Sequence, residues 1–175
     1  MEQFAPRRKR EYFPNPVLHC ALMPKTVSDR LILFLATGFY SGYSPVAPGT
    51  AGSAVGVAAY FLLRPLGWPA YIAVTLAVTL MGIWISGRAE ALFGQKDCKH
   101  IVIDEIAGQL IALFMAPATW WGILSGFALF RLFDITKFWP ISACEKLKGG
   151  AGVMLDDAAA GLLALLALQL IYLGI

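Results

Sequence analysis

Apolar residues run along this chain in long blocks, separated by short polar stretches. No charged residue occurs in 31–63, 65–87, 106–130 or 158–175. A helix that crosses a bilayer needs about 20 mostly apolar residues. Local signals divide the blocks into elements. Thr26-Val-Ser-Asp29 has capping-box spacing ahead of an apolar run and predicts a helix over about 28–38, stopped at Gly38. It is short for a span, so it is expected to lie at the membrane interface. A Gly/Pro loop follows at 41–50, and a helix is predicted over 49–64. Pro65, Gly67 and Pro69 predict a tight turn, after which a helix over 69–87 returns. Residues 88–103 are polar. A helix is expected from Ile103 to about Met115, where Pro117 breaks the pattern, and the apolar run 120–133 gives another. Residues 134–156 are polar and glycine-rich and read as loop, and 157–173 forms the last helix. The expected fold is all-α: a polytopic membrane bundle of about five crossings plus an N-terminal interfacial helix. A basic arm over 1–27 precedes a membrane-embedded domain over 28–175.

Composition sharpens this picture. Of 175 residues, 58% are hydrophobic and 14% charged, with a mean hydropathy of +0.67. Ordinary soluble domains carry about 25% charged residues. The shortfall excludes disorder, a coiled coil and a simple nucleic-acid binder. A chain of this length cannot cover four apolar helices on all sides. The net charge of +3 belongs to the first 30 residues, which hold six Lys/Arg against three acids. If the turns at 65–69 and 117–119 lie on the far side, thirteen of the fourteen Lys/Arg share one side, and only Arg64 lies opposite. The positive-inside rule makes that side cytoplasmic. Under this topology helix 103–116 is short for a ~30 Å hydrocarbon core and needs tilt or local thinning. Cys20, Cys98 and Cys144 have no CxxC spacing and suggest neither disulfides nor a zinc site.

Eight of the eleven acids follow residue 87. Six of them, Asp97, Asp104, Glu105, Asp134, Asp156 and Asp157, fall at or beside the cytoplasmic ends of expected crossings. Carboxylates gathered at a membrane boundary repel one another and are costly to desolvate. A hard divalent cation with oxygen ligands answers both problems, and Mg²⁺ is the preferred candidate. Arg131 and Asp134 are three residues apart and share a helix face, with Lys137 one turn on. Basic residues beside metal-ligating acids suit phosphate, and Lys99 could add to them. The runs Ala47-Pro-Gly-Thr-Ala-Gly-Ser53 and Lys148-Gly-Gly-Ala-Gly152 could each offer backbone N–H groups to an anion, although a plain turn explains either one. Gly108 would let a helix or a substrate approach closely, and Gly52 with Gly56 has the spacing of helix packing. No cysteine has an Arg six residues later. The two histidines lack the neighbours of a histidine phosphatase. GxxxxGK[ST] and HExxH are absent, and Asp156-Asp157 lacks the downstream Arg of a CDP-alcohol phosphotransferase.

The runs Gly42-Tyr-Ser-Pro-Val-Ala-Pro-Gly-Thr-Ala-Gly-Ser53, Ile101-Val-Ile-Asp-Glu-Ile-Ala-Gly-Gln109, Phe130-Arg-Leu-Phe-Asp-Ile-Thr-Lys137 with Trp139-Pro140-Ile141, and Gly149-Gly-Ala-Gly-Val-Met-Leu-Asp-Asp157 with Ala160-Gly161 resemble the bacterial phosphatidylglycerophosphatase A family. The resemblance covers about 28–175. Where the family often has Lys-Pro-Trp-Pro, this chain has Lys137-Phe-Trp-Pro140. The resemblance implies an inner-membrane, Mg²⁺-dependent phosphatase that converts phosphatidylglycerol phosphate to phosphatidylglycerol at the cytoplasmic face. The partners expected are the phospholipid substrate and the membrane, with no nucleic acid. The expected metal ligands come from Asp97, Asp104, Glu105, Asp134 and Asp157. The catalytic set is Asp104, Glu105, Asp134, Asp156, Asp157, Arg131 and Lys137. Thr50, Gly49, Ser53, Gly149 and Gly150 are expected around the substrate phosphate. Water attack is the first expectation and a phospho-aspartyl intermediate the second. Two other classes compete. A cation transporter would place acids inside its spans rather than at their ends, and a non-catalytic scaffold would release no phosphate.

Overall fold

The computed structural model describes residues 26–96, 98–137, 139, 141–144, 147 and 149–174. The described residues form helices and no strand. They comprise α1 (Val27–Ala36), α2 (Pro48–Leu63), α3 (Trp68–Phe93), α4 (Ile103–Ala112), α5 (Trp120–Thr136), the single turn α6 (Ile141–Cys144) and α7 (Gly150–Leu173), with 3₁₀ turns at Ser41–Tyr43 and Arg64–Leu66. The expected basic arm, apart from Thr26 and Val27, lies outside the described residues.

Local chemistry explains most boundaries. At α1, Asp29 N–H donates to Thr26 Oγ1 and Thr26 N–H donates to Asp29 Oδ2, each at 3.1 Å, so the capping box forms as its spacing predicts. Gly38, at φ +52°, ends the helix turn. Thr119 caps α5 by accepting from Gly122 N–H at 3.1 Å. Three helices are longer than their sequence suggests: α5 runs three residues past 133, taking in Asp134, and two others extend further. α3 runs six residues past 87, because Ala89 and Phe93 are buried and bind its last turns to the bundle; Gly94, at φ +65°, stops it. α7 starts at Gly150 rather than 157. The glycine run is its first turn, so Asp156 and Asp157 lie in its second turn instead of at its start.

α4 is the central helix. Seven of its ten residues are buried. Its closest pairing is with α7, and α2, α3 and α5 also pack on it. These pairings depend on glycine. A Cβ at Gly161 would collide with the Gly108 carbonyl, and one at Gly108 would lie 2.7 Å from the Asp157 carbonyl, so α4 and α7 cross backbone to backbone. Gly52 and Gly56 admit Val102 and Gln109 in the same way, which makes them packing residues as their spacing predicts.

At ~1.5 Å per residue, α4 rises only about 15 Å. Its C-terminal carbonyls end inside the bundle, and side chains satisfy them. Tyr71 Oη donates to the Leu110 carbonyl at 2.6 Å and Tyr60 Oη to Ala116 at 3.3 Å; Gln169 Nε2 reaches the Phe114 and Met115 carbonyls at 3.4 Å. These bonds bring the end of α4 level with the end of α2, the start of α3 and the last turns of α7. Two helices, Trp68–Phe93 and Gly150–Leu173, are long and apolar enough to cross a membrane. Their outer faces are apolar too: Leu76, Leu80, Trp84, Leu166 and Leu170 are exposed. Such a surface suits lipid better than water.

Candidate active site

At the opposite end of the bundle from Tyr60 and Tyr71, four helices and two connecting segments surround a cavity of about 250 Å³. The start of α2 supplies Pro48 and Gly49, α4 supplies Asp104 and Glu105, α5 supplies Arg131 and Asp134, and α7 supplies Val153, Asp156 and Asp157. Cys98, Lys99 and Ile101 from the α3–α4 connection and Lys137 after α5 complete the lining.

The acids sort into two kinds. Asp134 and Asp156 have cationic partners. Arg131 Nη1 lies 2.6 Å from Asp134 Oδ2, and Lys137 Nζ lies 2.8 Å from Asp156 Oδ2. The i,i+3 spacing of Arg131 and Asp134 produces the first pair. The second depends on Lys137 leaving α5 at φ +42°, a left-handed conformation uncommon outside glycine. Ala47, just before α2, is also left-handed, at φ +48°. Backbone strain of this kind persists only where surrounding structure enforces it, and it gathers at functional sites.

Asp104, Glu105 and Asp157 form the other kind. One carboxylate oxygen from each lies within 4.8 Å of the others. Asp104 Oδ1, Glu105 Oε2 and Asp157 Oδ2 are buried and have no hydrogen-bond partner among the described residues. Three buried oxygens without donors, drawn from like-charged groups, are an unstable arrangement when the groups are ionised unless a cation lies among them. Hard oxygen donors in this number fit Mg²⁺.

Gly49 shows how tightly α2 meets this group. A Cβ there would collide with Glu105 Oε1 and lie 3.1 Å from both Arg131 Nη1 and Nη2. One turn further along α2, Ser53 is fully buried; its hydroxyl donates to the Gly49 carbonyl at 2.9 Å and lies 3.5 Å from Arg131 Nη1. The loop leading to α2 is held from the other side, where His100 Nδ1 donates to the Gly42 carbonyl at 2.8 Å.

The expected site residues therefore fall in three places. Asp104, Glu105, Asp134, Asp156, Asp157, Arg131, Lys137 and Gly49 line one cavity, and Ser53 backs it. Thr50 is exposed on α2 and Gly149 stands open just before α7. Gly150 is packed against α3, where a Cβ would collide with the Ile83 carbonyl. Asp97 lies outside the described residues. Sequence reasoning missed Cys98, Ile101 and Val153 as lining residues. Val153, Asp156 and Asp157 are spaced i, i+3, i+4, which would have grouped them had 150–156 been read as helix.

A polar cavity with paired cations and clustered acids suits a phosphorylated substrate, and an apolar exterior suits lipid surroundings. The family model described as Phosphatidylglycerophosphatase A matches residues 34–172, and the chain belongs to that family. Among its relatives, the phosphatidylglycerophosphatase A of Escherichia coli K12 is 36% identical over 132 residues, 74% of this chain and 77% of the relative. The phosphatidylglycerophosphatase A of Haemophilus influenzae is 41% identical over 138 residues, covering 77% and 85%. A putative phosphatidylinositol-3-phosphatase of Bacteroides thetaiotaomicron is 42% identical over 140 residues, covering 75% and 87%. No solved structure matches the chain. The enzyme is a phosphatase that acts on a phosphate monoester.

Proposed function

We propose that the enzyme removes the terminal phosphate of phosphatidylglycerol phosphate, leaving phosphatidylglycerol and inorganic phosphate, in a Mg²⁺-dependent reaction at the cytoplasmic face of the bacterial inner membrane. The observation that carries this reading is the charge of the cavity. Its lining holds five carboxylates against Lys99, Arg131 and Lys137, a formal −2. A phosphate monoester is itself close to −2 at neutral pH. Such a site binds phosphate only with a divalent cation present, and Asp104, Glu105 and Asp157 are the group built to hold one. The bound metal supplies Lewis-acid polarisation and a more acidic water.

The chain's own residues do the rest. The planar fork of Arg131 lies beside Gly49 at the start of α2, where free N–H groups and the helix dipole also favour an anion. Arg131 and Lys137 stabilise the charge that develops on the transferring phosphoryl group, and Asp134 and Asp156 fix their orientation. Water attacks phosphorus as the bond to the glycerol oxygen breaks; a carboxylate that does not hold the metal takes the water's proton, and a proton returns to the leaving glycerol oxygen to give the free hydroxyl.

The topology we propose has five segments, α2 to α5 and α7, traversing one apolar layer. The bonds from Tyr60, Tyr71 and Gln169 support it, because they bring the short α4 to the same far level as its neighbours. α1 then lies at the cytoplasmic interface.

The Bacteroides thetaiotaomicron relative carries a different headgroup in its name, so the test compares headgroups. Phosphate release should be measured in mixed micelles from phosphatidylglycerol phosphate, phosphatidylinositol 3-phosphate and phosphatidic acid. We expect kcat/KM to be highest for phosphatidylglycerol phosphate. Preference for the inositol lipid would overturn the substrate assignment and leave the phosphatase chemistry intact.

A further inference from the structure

Gln109 stands out in the interior. It is fully buried, and neither its amide oxygen nor its amide nitrogen has a hydrogen-bond partner among the described residues. An amide left this way in an apolar core is destabilising, and native proteins rarely keep one without a reason. Two other orphans, Thr75 Oγ1 and Ser86 Oγ, lie on α3. Gln109 is differently placed.

It sits four residues after Glu105 on α4, so the two side chains share one helix face. The contacts with α2 give its depth. Gly49 meets Glu105 and Arg131, Ser53 meets Arg131 one turn further in, and Gly56 meets the Cβ and Cγ of Gln109 in the next turn. Gln109 is therefore the layer directly beneath Glu105 and Arg131. Those two residues contribute buried orphans of their own, Glu105 Oε2 and Arg131 Nε. The donors and acceptors are complementary. A carboxylate oxygen has two lone pairs, so Glu105 Oε2 can accept from an amide N–H as well as face a cation; an amide oxygen can accept from Arg131 Nε–H, and an ordered water can bridge whatever distance remains.

We propose that Gln109 is a positioning residue for phosphoryl transfer. It holds the inner edges of Glu105 and Arg131 so that Glu105 Oε1 and the Arg131 fork face the reacting phosphoryl group beside Gly49. This rests on the phosphatase reading above. It adds a functional residue with no route to the substrate, one that acts only through its two neighbours.

A purely structural role and a positioning role make opposite predictions for Gln109→Met, which keeps the length and removes both polar groups. As a mere buried orphan, Gln109 should be replaced with gain of stability and no loss of activity. As a positioning residue it should be replaced with loss of kcat, because small misplacements in a reacting geometry are costly. The experiment compares wild type, Gln109→Met, Gln109→Asn and the control Thr75→Val in phosphate release from phosphatidylglycerol phosphate, each with a thermal unfolding curve. We expect Thr75→Val to keep wild-type kcat. We expect Gln109→Met to retain or raise Tm while kcat falls at least about tenfold, with KM and the Mg²⁺ concentration for half-maximal rate within about twofold of wild type. Gln109→Asn keeps the amide and should recover part of the loss. If Gln109→Met unfolds, Gln109→Asn decides: its kcat should lie between one half and one tenth of wild type at unchanged KM. Wild-type kcat in either folded variant would overturn the proposal. A loss accompanied by a fall in Tm and a matching rise in KM would overturn it as well. A wild-type enzyme that releases no phosphate would instead overturn the proposed function, so the two failures are distinguishable.

Discussion

Asp104, Glu105 and Asp157 each present a buried oxygen with no donor, and the roles of single residues follow from that shortage. Asp104→Asn or Asp157→Asn removes one charge with almost no change in volume. Turnover should fall by at least about 100-fold, while the protein still inserts and purifies, because relieving repulsion among buried like charges does not weaken folding. Phosphate release together with a melting curve checks this, and near-wild-type turnover in either variant would remove the trio from the mechanism. Arg131 is separable from these acids. Lysine at 131 can still pair with Asp134 across one helical turn, but it lacks the two-pronged donor that reaches Gly49. We expect Arg131→Lys to lower kcat/KM by about 100-fold with the Mg²⁺ requirement unchanged. If Arg131 served only to pair with Asp134, lysine would restore most of the activity.

Among the helices, the sequence is readable where its chemistry is local. The capping box at Thr26 and the stop at Gly38 are visible because each acts within a few residues. The start of α7 is hidden because glycine is a poor helix former, so 149–152 reads as loop. Tertiary packing overrides that preference, since only glycine fits where Gly150 meets the backbone of Ile83 and Gly87. The end of α3 is hidden for a related reason. Arg88 and Glu90 look like loop residues, yet Ala89 and Phe93 between and beyond them are core. The candidate site was more legible than these boundaries. Acids and bases at helical spacing identify themselves, whereas Val153 and Cys98 carry no charge to mark them as lining residues. The crossing of α4 and α7 gives a test at this scale. A Cβ at Gly161 meets the Gly108 carbonyl directly. Gly161→Ala should therefore destabilise the bundle by about 1–3 kcal/mol, the usual cost of overpacking. A lower Tm is expected, and an unchanged one would show that the helices can separate there freely.

The proposed reaction requires one orientation of the whole molecule. The cavity and the Lys/Arg-rich segments must lie on the cytoplasmic side, and the turn at Gly67 must lie on the other. In a background without native cysteines, a cysteine at Gly67 should react with an impermeant thiol reagent from outside the cell. One at Leu147 should react only after permeabilisation. The reverse pattern would overturn the topology and move the site to the wrong face for the proposed substrate. In the proposed reaction, carboxylates that repel one another, and that would repel phosphate, form a phosphatase site by holding a divalent cation. The most direct measurement is phosphate release from phosphatidylglycerol phosphate by the purified enzyme, stripped with EDTA and then titrated with Mg²⁺. The stripped enzyme should release none, and activity should recover saturably as Mg²⁺ is added. Full activity in the metal-free enzyme would contradict the proposed reaction.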